Sequence, residues 1–491
     1  MDLLKRLQDH PAMGQHFITD GVLTCAYQDL PALFETIAQT LQETGVDPQM
    51  PLAVECENSV PTAILILFLL QTGRSFLPLP WGSPEDLGDR VPPFCRHIAR
   101  PLSLDPQGQP LDLAQPQTWL HLTPHPLAAP PIPLGDRGDR KLYMRTSGST
   151  GTPKVVMHRH DRLQANGQAC VDRLQLNPND RIAIPVPLFH MYGLGAGFLP
   201  GVWAGACIDL QKGANLLRYI QREEQFNPNV AFLTPIFCET LIKGRRSSRP
   251  YRLTVAAGDR VRPDTFTPYE SRFGCLVQLY GSTEMGAISA ASPQDSLENR
   301  IPTVGLPMAD VEMRLTQSDT LTPEDRAQGL GELWCRRQSG CEGYLDWQGQ
   351  PLDLGQWDAE GWFYTKDYGR IQDNGRLEVW GRCDYSLNRD GLLVFFRDVE
   401  QALESLPTVA TAVVVAKGES QRGKGLVAYC VPQNPQGAEG AAGITLGEAL
   451  RKQCFDLLPK RAVPDRLIIL PQLPLLPNGK IDRQTLTRQP D

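Results

Sequence analysis

The amino-acid sequence predicts an α/β protein in two parts: a large multi-layer N-terminal domain with βαβ-type sheets, and a small α+β C-terminal domain. Three observations carry this expectation. Helical and strand-like patterns alternate over the first hundred residues. Strand candidates then recur between residues 141 and 279, and near residue 380 the elements become shorter and more mixed. Strand–helix–strand order favours a largely parallel sheet, because a parallel crossover needs an intervening helix or its equivalent.

Taken in order, residues 30–44 place apolar side chains near helical spacing and end at Gly45, a helix with its stop signal. Residues 51–56 read as a strand, 60–72 as a second helix and 75–79 as the next strand. Residues 105–140 are rich in Pro and Gly and are expected to be surface connections. Further strands are expected at 141–145, 181–186, 230–233, 253–256 and 276–279. The last hundred residues suggest a helix near 397–405, strands at 410–416 and 425–430, and a helix opening at Thr445. There Thr445-Leu446-Gly447-Glu448 matches a capping box. The expected domains are 1–383 and 384–491.

Composition narrows the class. The 491 residues are 41% hydrophobic and 21% charged, which suits large packed cores and excludes a disordered chain. Lys plus Arg number 48 against 55 Asp plus Glu, a formal charge of −7, so nothing points to a nucleic-acid or anionic-membrane binder. Twelve cysteines are scattered without a Cys-x-x-Cys pair, the pattern of reduced thiols rather than a disulfide framework or zinc site. The most apolar stretch, residues 63–70, is too short to span a bilayer, and the N-terminus lacks a signal-peptide pattern. A soluble cytoplasmic protein is the expectation.

The most informative segment is Thr146-Ser147-Gly148-Ser149-Thr150-Gly151-Thr152-Pro153-Lys154, directly after an expected strand. Glycines let backbone approach a ligand, hydroxyls and amides donate to phosphate oxygens, and lysine adds charge. A Walker loop would need glycine before the lysine and Ser or Thr after it. Here Pro153 precedes Lys154 and Val155 follows.

This residue order resembles the phosphate loop of the adenylate-forming superfamily: acyl- and aryl-CoA synthetases, peptide-synthetase adenylation domains and luciferase. Four more segments resemble its motifs in order. They are Tyr280-Gly281-Ser282-Thr283-Glu284, Tyr364-Thr365-Lys366-Asp367, Gly381-Arg382-Cys383-Asp384, and Leu476-Pro477-Asn478-Gly479-Lys480-Ile481-Asp482-Arg483. The resemblance covers essentially the whole chain. It implies ATP- and Mg²⁺-dependent activation of a small-molecule carboxylic acid to an acyl-adenylate. Transfer to a thiol follows, either CoA or the phosphopantetheine of an acyl carrier protein. It also implies a mobile small domain.

The roles implied are specific. Glu284 would hold Mg²⁺, since a hard cation prefers carboxylate oxygen. Thr283 would donate its hydroxyl, Asp367 would accept from both ribose hydroxyls, and Arg382 would lie near ribose and phosphates. Asp384 would be the hinge, and Lys480 the catalytic lysine bridging the carboxylate and α-phosphate. Gly258, Asp259 and Gln278 to Tyr280 would surround adenine. Phe232, Thr234, Pro235 and Ile236 would line the acyl pocket. Pro187-Leu188-Phe189-His190-Met191-Tyr192-Gly193 resembles an acyl-CoA-synthetase segment whose histidine lies between acyl pocket and thiol channel. A lone histidine among apolar residues is otherwise a satisfied core residue, and both readings of His190 stand.

This chain departs from the pattern in three places. No aspartate occurs in the His190 segment to pair with a substrate ammonium, which argues for an acid without an α-amine. Lys366 stands where glycine is usual. The segment Ser386-Leu387-Asn388-Arg389-Asp390-Gly391 lacks the usual lysine or glycine pair, and so leaves carrier protein beside CoA as acceptor. An amino-acid adenylating enzyme and a non-catalytic nucleotide-binding protein of this fold are the alternatives.

Overall fold

The computed structural model describes residues 16–82, 90–127, 140–146, 154–213, 215–318, 320–389, 392–420, 423–434, 441–475 and 481–488. The chain divides into two compact units. The first comprises Met1–Glu312, Cys335–Gly361 and Asp373–Leu377; the second comprises Met313–Trp334, Trp362–Gln372 and Glu378–Asp491. The boundary expected at residue 383 falls inside the second unit.

Two large mixed sheets build the first unit. In the eight-stranded sheet the neighbours run Pro351–Leu352, Gly343–Leu345, Lys154–Arg159, Lys141–Thr146, Phe76–Pro80, Leu52–Cys56, His97–Pro101 and Leu120–Pro124. Its centre is parallel: Leu52–Cys56 pairs in parallel with Phe76–Pro80 and with His97–Pro101. Between the first two of these runs the helix Val60–Thr72, buried at every residue from Val60 to Leu70. A helix apolar all round has no solvent face to offer and belongs inside a protein. Its ends follow local rules: Ser59 accepts from the Thr62 N–H, Pro61 sits in the first turn, and Gly73 closes it at φ 72°.

The nine-stranded sheet orders Leu306–Pro307, Gly286–Ala290, Gly274–Ser282, Tyr251–Ala256, Val230–Leu233, Arg181–Ile184, Cys207–Leu210, Phe17–Thr19 and Thr24–Ala26. Its run from Gly274–Ser282 to Phe17–Thr19 is parallel. The second unit holds most of a four-stranded sheet, Val311–Thr316, Gly331–Arg337, Phe363–Ile371 and Leu377–Arg382. It also holds the two-stranded Ser386–Arg389 with Leu392–Phe395, and a three-stranded sheet of Val409–Ser420, Gly423–Pro432 and Arg466–Ile469. The helices Phe396–Glu404 and Ala441–Leu457 pack on the last of these.

Two expectations are corrected. The Pro/Gly-rich stretch contains the helix Pro116–Trp119 and the strand Leu120–Pro124, which pairs antiparallel with His97–Pro101. Fully buried Trp119 anchors it, a tertiary contact that overrides the turn-rich composition. The late helix opens at Ala441, so Thr445 lies within it and its capping-box pattern does not start it. All twelve cysteines are free, ten of them buried. Among the described residues no helix is long and apolar enough to cross a membrane.

Candidate active site

In the first unit the strands Lys141–Thr146 and Lys154–Arg159 form an antiparallel ladder in which Thr146 faces Lys154. Ser147, Gly148, Ser149, Thr150 and Gly151 lie outside the described residues, as does Lys480. At the end of the ladder the Thr146 hydroxyl is buried without a partner among the described residues. Lys154 Nζ stands 3.7 Å from Glu284 Oε1 and 4.1 Å from the centre of the Tyr344 ring. Both charged side chains are only 16% and 13% exposed, so their attraction is weakly screened.

Glu284 sits in the loop between the antiparallel strands Gly274–Ser282 and Gly286–Ala290. The motif glycine is explained by packing, since a Cβ on Gly281 would meet Gly286 O at 2.2 Å. Tyr344 donates its hydroxyl to Glu284 Oε1 at 2.9 Å, so both described contacts of this carboxylate converge on one oxygen. The backbone is held too. His158 is in contact with Thr283 O at 2.6 Å through Nε2, and because a carbonyl only accepts, Nε2 carries the proton. Burial pushes the His158 imidazole down to about 4, so at neutral pH it is the uncharged donor.

The other expected nucleotide residues of this unit stand at strand ends. Gly258 takes φ 95° just past the strand Tyr251–Ala256, with open space where a Cβ would be, and Asp259 beside it is exposed. Gln278 is buried and its amide is engaged inside the protein. Its Oε1 accepts from the Val261 N–H at 2.9 Å, and its Nε2 points at the carbonyls of Arg300 and Thr303. Tyr280 and Ser282 are half-buried beside it on the same strand.

On the acyl side, His190 is partly exposed and its ring lies 4.4 Å from that of Phe189. Asn58 holds this segment: its amide donates to Ile184 O and Val186 O at 3.0 and 2.9 Å, and its oxygen accepts from the Leu188 N–H at 3.0 Å. A π-helix follows over Tyr192–Phe198, a form that concentrates at functional positions. Phe232 is fully buried, 6.1 Å ring to ring from Tyr192. Thr234 is an N-cap accepting from the Phe237 N–H, Pro235 is buried in the first turn, and Ile236 is 66% exposed.

The second unit carries its own cluster. Asp367 is buried, with Arg382 Nη1 3.8 Å from its Oδ1. Arg382 also donates to Thr365 O at 3.1 Å and pairs with Asp384 Oδ2 at 3.1 Å. Asp384 lies in the short 3₁₀ turn Cys383–Tyr385 and is exposed. Lys366, at the position where the motif has glycine, adopts φ 63°. The backbone there is left-handed whatever residue fills it, which is why glycine is usual and why lysine is strained.

Sequence reasoning passed over Tyr344, Asn58, His158, Arg337 and Asn166. One signal was available. Arg337 falls on the buried phase of a strand whose burial alternates strictly, and His158 shares the phase of Val156. A charged or polar residue on an apolar phase marks a buried polar role.

A hydroxyl, a lysine and a carboxylate gathered at strand ends suit an anionic ligand with a hard cation, the class of a nucleotide-using enzyme. No cluster of three or more His, Cys, Asp or Glu occurs among the described residues. The partly buried Glu284 carboxylate is the kind of single oxygen ligand with which magnesium binds together with substrate phosphates. The model of the AMP-binding enzyme family matches residues 100–345, and that of the AMP-binding enzyme C-terminal domain matches 398–480. The chain belongs to the AMP-binding enzymes, whose members include AMP-forming acid–thiol ligases. Sulfoacetate–CoA ligase of Cupriavidus necator is 25% identical over 362 residues, 73% of this chain and 69% of that one. Phosphinothricin tripeptide synthetase PhsC of Streptomyces viridochromogenes is 28% identical over 512 residues, 99% of this chain. This chain spans only 44% of that synthetase's length. ATP-bound MatB from Rhodopseudomonas palustris shares the fold, with a TM-score of 0.77 at 20% identity over 99% of this chain and 98% of that one.

Proposed function

We propose that this protein uses ATP to activate a carboxylic acid as its acyl-adenylate, releasing pyrophosphate, and then passes the acyl group to a thiol. The observation that carries the reading is the Lys154–Glu284 pair beside the buried Thr146 hydroxyl at one strand end. Attack of a carboxylate on the α-phosphate brings anions together, so the site must offset their repulsion as the transition state forms. Lys154, Thr146 and the loop from Ser147 to Gly151 supply donors and charge to the phosphates, and Thr283 adds its hydroxyl. Glu284 is the ligand for Mg²⁺, which when bound neutralises phosphate charge.

Asp367 receives the ribose hydroxyls with Arg382 beside it, while Gly258, Asp259, the Gln278 backbone and Tyr280 border adenine. Lys480 bridges the carboxylate and α-phosphate. His190, Phe232, Thr234, Pro235 and Ile236 border the acyl group. In the second step the thiol attacks the activated carbonyl and AMP leaves, with the C-terminal domain turned about Asp384. The acceptor is CoA or a carrier-protein phosphopantetheine. Among the relatives stand both a CoA ligase and a peptide synthetase.

ATP–pyrophosphate exchange over fatty, aryl and amino acids tests the reading. Exchange with acids lacking an α-amine is expected, and none with any acid would overturn it. Lys480→Ala should slow adenylate formation on the order of 10²–10³-fold, the size of one lost charge-stabilising donor. Supplied with preformed adenylate, the same variant should still make thioester at near the normal rate. Equal losses in both steps would remove domain alternation from the mechanism.

A further inference from the structure

The loop Thr283-Glu284-Met285 projects from two strand ends, where its carbonyls have no ladder partner. Each is nevertheless taken by a group from elsewhere in the first unit. Thr283 O accepts from His158 Nε2 at 2.6 Å, Glu284 O from the Cys341 N–H at 2.8 Å, and Met285 O from Arg337 Nη1 at 2.6 Å. Arg337 Nη1 also reaches Ala287 O at 2.7 Å, and the Ala287 N–H donates to Asn166 Oδ1 at 2.9 Å. The Arg337 side chain has no exposed surface and pairs with Asp310 Oδ1 at 2.6 Å.

We propose that His158 and Arg337 are positioning residues: they hold the Thr283–Met285 backbone at its two ends so that the Thr283 hydroxyl and the Glu284 carboxylate receive magnesium-bound ATP. The assignment rests on the proposed reaction. Both side chains occupy apolar phases of their strands, where a Leu or Val would fill the space without burying a polar group. Burying a guanidinium carries a large desolvation penalty, which good hydrogen-bond geometry must offset. A surface loop gains nothing from that outlay if water can satisfy its carbonyls. A loop that must hold a metal ligand in place does gain, because first contacts need support to stay within about half an ångström of the productive geometry. Two donors from strands distant in sequence converge on the carbonyls of Thr283 and Met285, the residues on either side of Glu284. This convergence is what separates positioning from generic packing.

The test is calorimetric binding of Mg·ATP to the full chain, with thermal unfolding and steady-state kinetics measured alongside. His158→Leu and Arg337→Met should each weaken Mg·ATP binding, and raise the Mg²⁺ needed for half-saturation, by roughly 10- to 100-fold, the usual effect of losing a partner behind a metal ligand. The KM for the acid should stay unchanged. His158→Gln should recover most of the loss, because its amide can donate to the same carbonyl. His158→Asn, whose shorter amide does not reach, should not recover it, and this pair gives the same contrast if the leucine variant does not fold. Lower thermal stability with unchanged Mg·ATP affinity, or equal changes in the constants for ATP and acid, would overturn the assignment. A wild-type protein that binds no Mg·ATP would overturn the reaction it rests on, and the assignment with it.

Discussion

The loop that carries Glu284 and the strand Phe363–Ile371 that carries Asp367 both present a carboxylate, and the protein builds them in different ways. Around Glu284, three successive carbonyls are each held by a separate donor, and the carboxylate itself meets Tyr344 and Lys154. Near Asp367 a charged neighbour, Arg382, stands 3.8 Å away and is 42% exposed, and the preceding residue sits in a strained left-handed conformation. Arg382 keeps much of its hydration at that distance, so this ion pair by itself contributes about 0–1 kcal/mol. The contrast follows from what each is proposed to bind. A metal and polyphosphate concentrate charge, and every tenth of an ångström matters. Ribose hydroxyls are neutral and can rotate to meet their acceptor.

Four measurements press on that contrast. The largest effect is expected at the proposed ribose site. Asp367→Ala should cost roughly 3–6 kcal/mol of ATP binding, two charge-assisted hydrogen bonds, with the fold intact. Unchanged ATP affinity would take Asp367 out of the ribose site and end the comparison.

Next comes pH, which should act on the tightly built side. Burial holds both His158 and His160 at about 4, below the ordinary imidazole value of 6.5. Between those values the unfolded chain binds a proton that the folded chain does not, so stability falls as pH falls from about 6.5 to about 4. The loss is on the order of 3 kcal/mol for each histidine. Denaturant unfolding at pH 7 and at pH 5 reads it, and a His160→Gln variant should show a shallower dependence. A flat profile would show that these histidines do not titrate with folding.

Two backbone substitutions sharpen the contrast at smaller scale and in opposite directions. Gly281→Ala drives a Cβ against the Gly286 carbonyl and should destabilise the protein by about 1–3 kcal/mol. Lys366→Gly relieves a left-handed lysine and should stabilise it by about 0.5–1 kcal/mol, the strain relieved less the added freedom of the unfolded chain. Thermal unfolding of the two variants checks both signs. A destabilised Lys366→Gly would mean that the lysine side chain makes contacts worth more than its strain.

Much of the architecture was legible because it rests on local rules. The helix Val60–Thr72 announces itself by its apolar run, Ser59 and Gly73, and the strands that flank it by length and pattern. The strand Leu120–Pro124 was not legible, since its composition is that of a connection and only pairing with His97–Pro101 makes it a strand. The helix Ala441–Leu457 begins before its apparent cap for a related reason, as packing on the three-stranded sheet overrides a local signal.

The site divides along the same line. By itself, the sequence named the groups proposed to meet the ligand, because the phosphate-loop motif, a carboxylate in Gly-Ser-Thr-Glu and the Tyr-Thr-Lys-Asp segment are short and their chemistry is written in neighbouring residues. Only the tertiary structure decided what holds those groups still. Thr283 and His158 are 125 positions apart, and Arg337 reaches Met285 across 52. It also turned the Gln278 amide inward and buried Phe232. Satisfying a buried carbonyl depends on which donors the packed sheets bring within about 3 Å, and no window of consecutive residues contains that information.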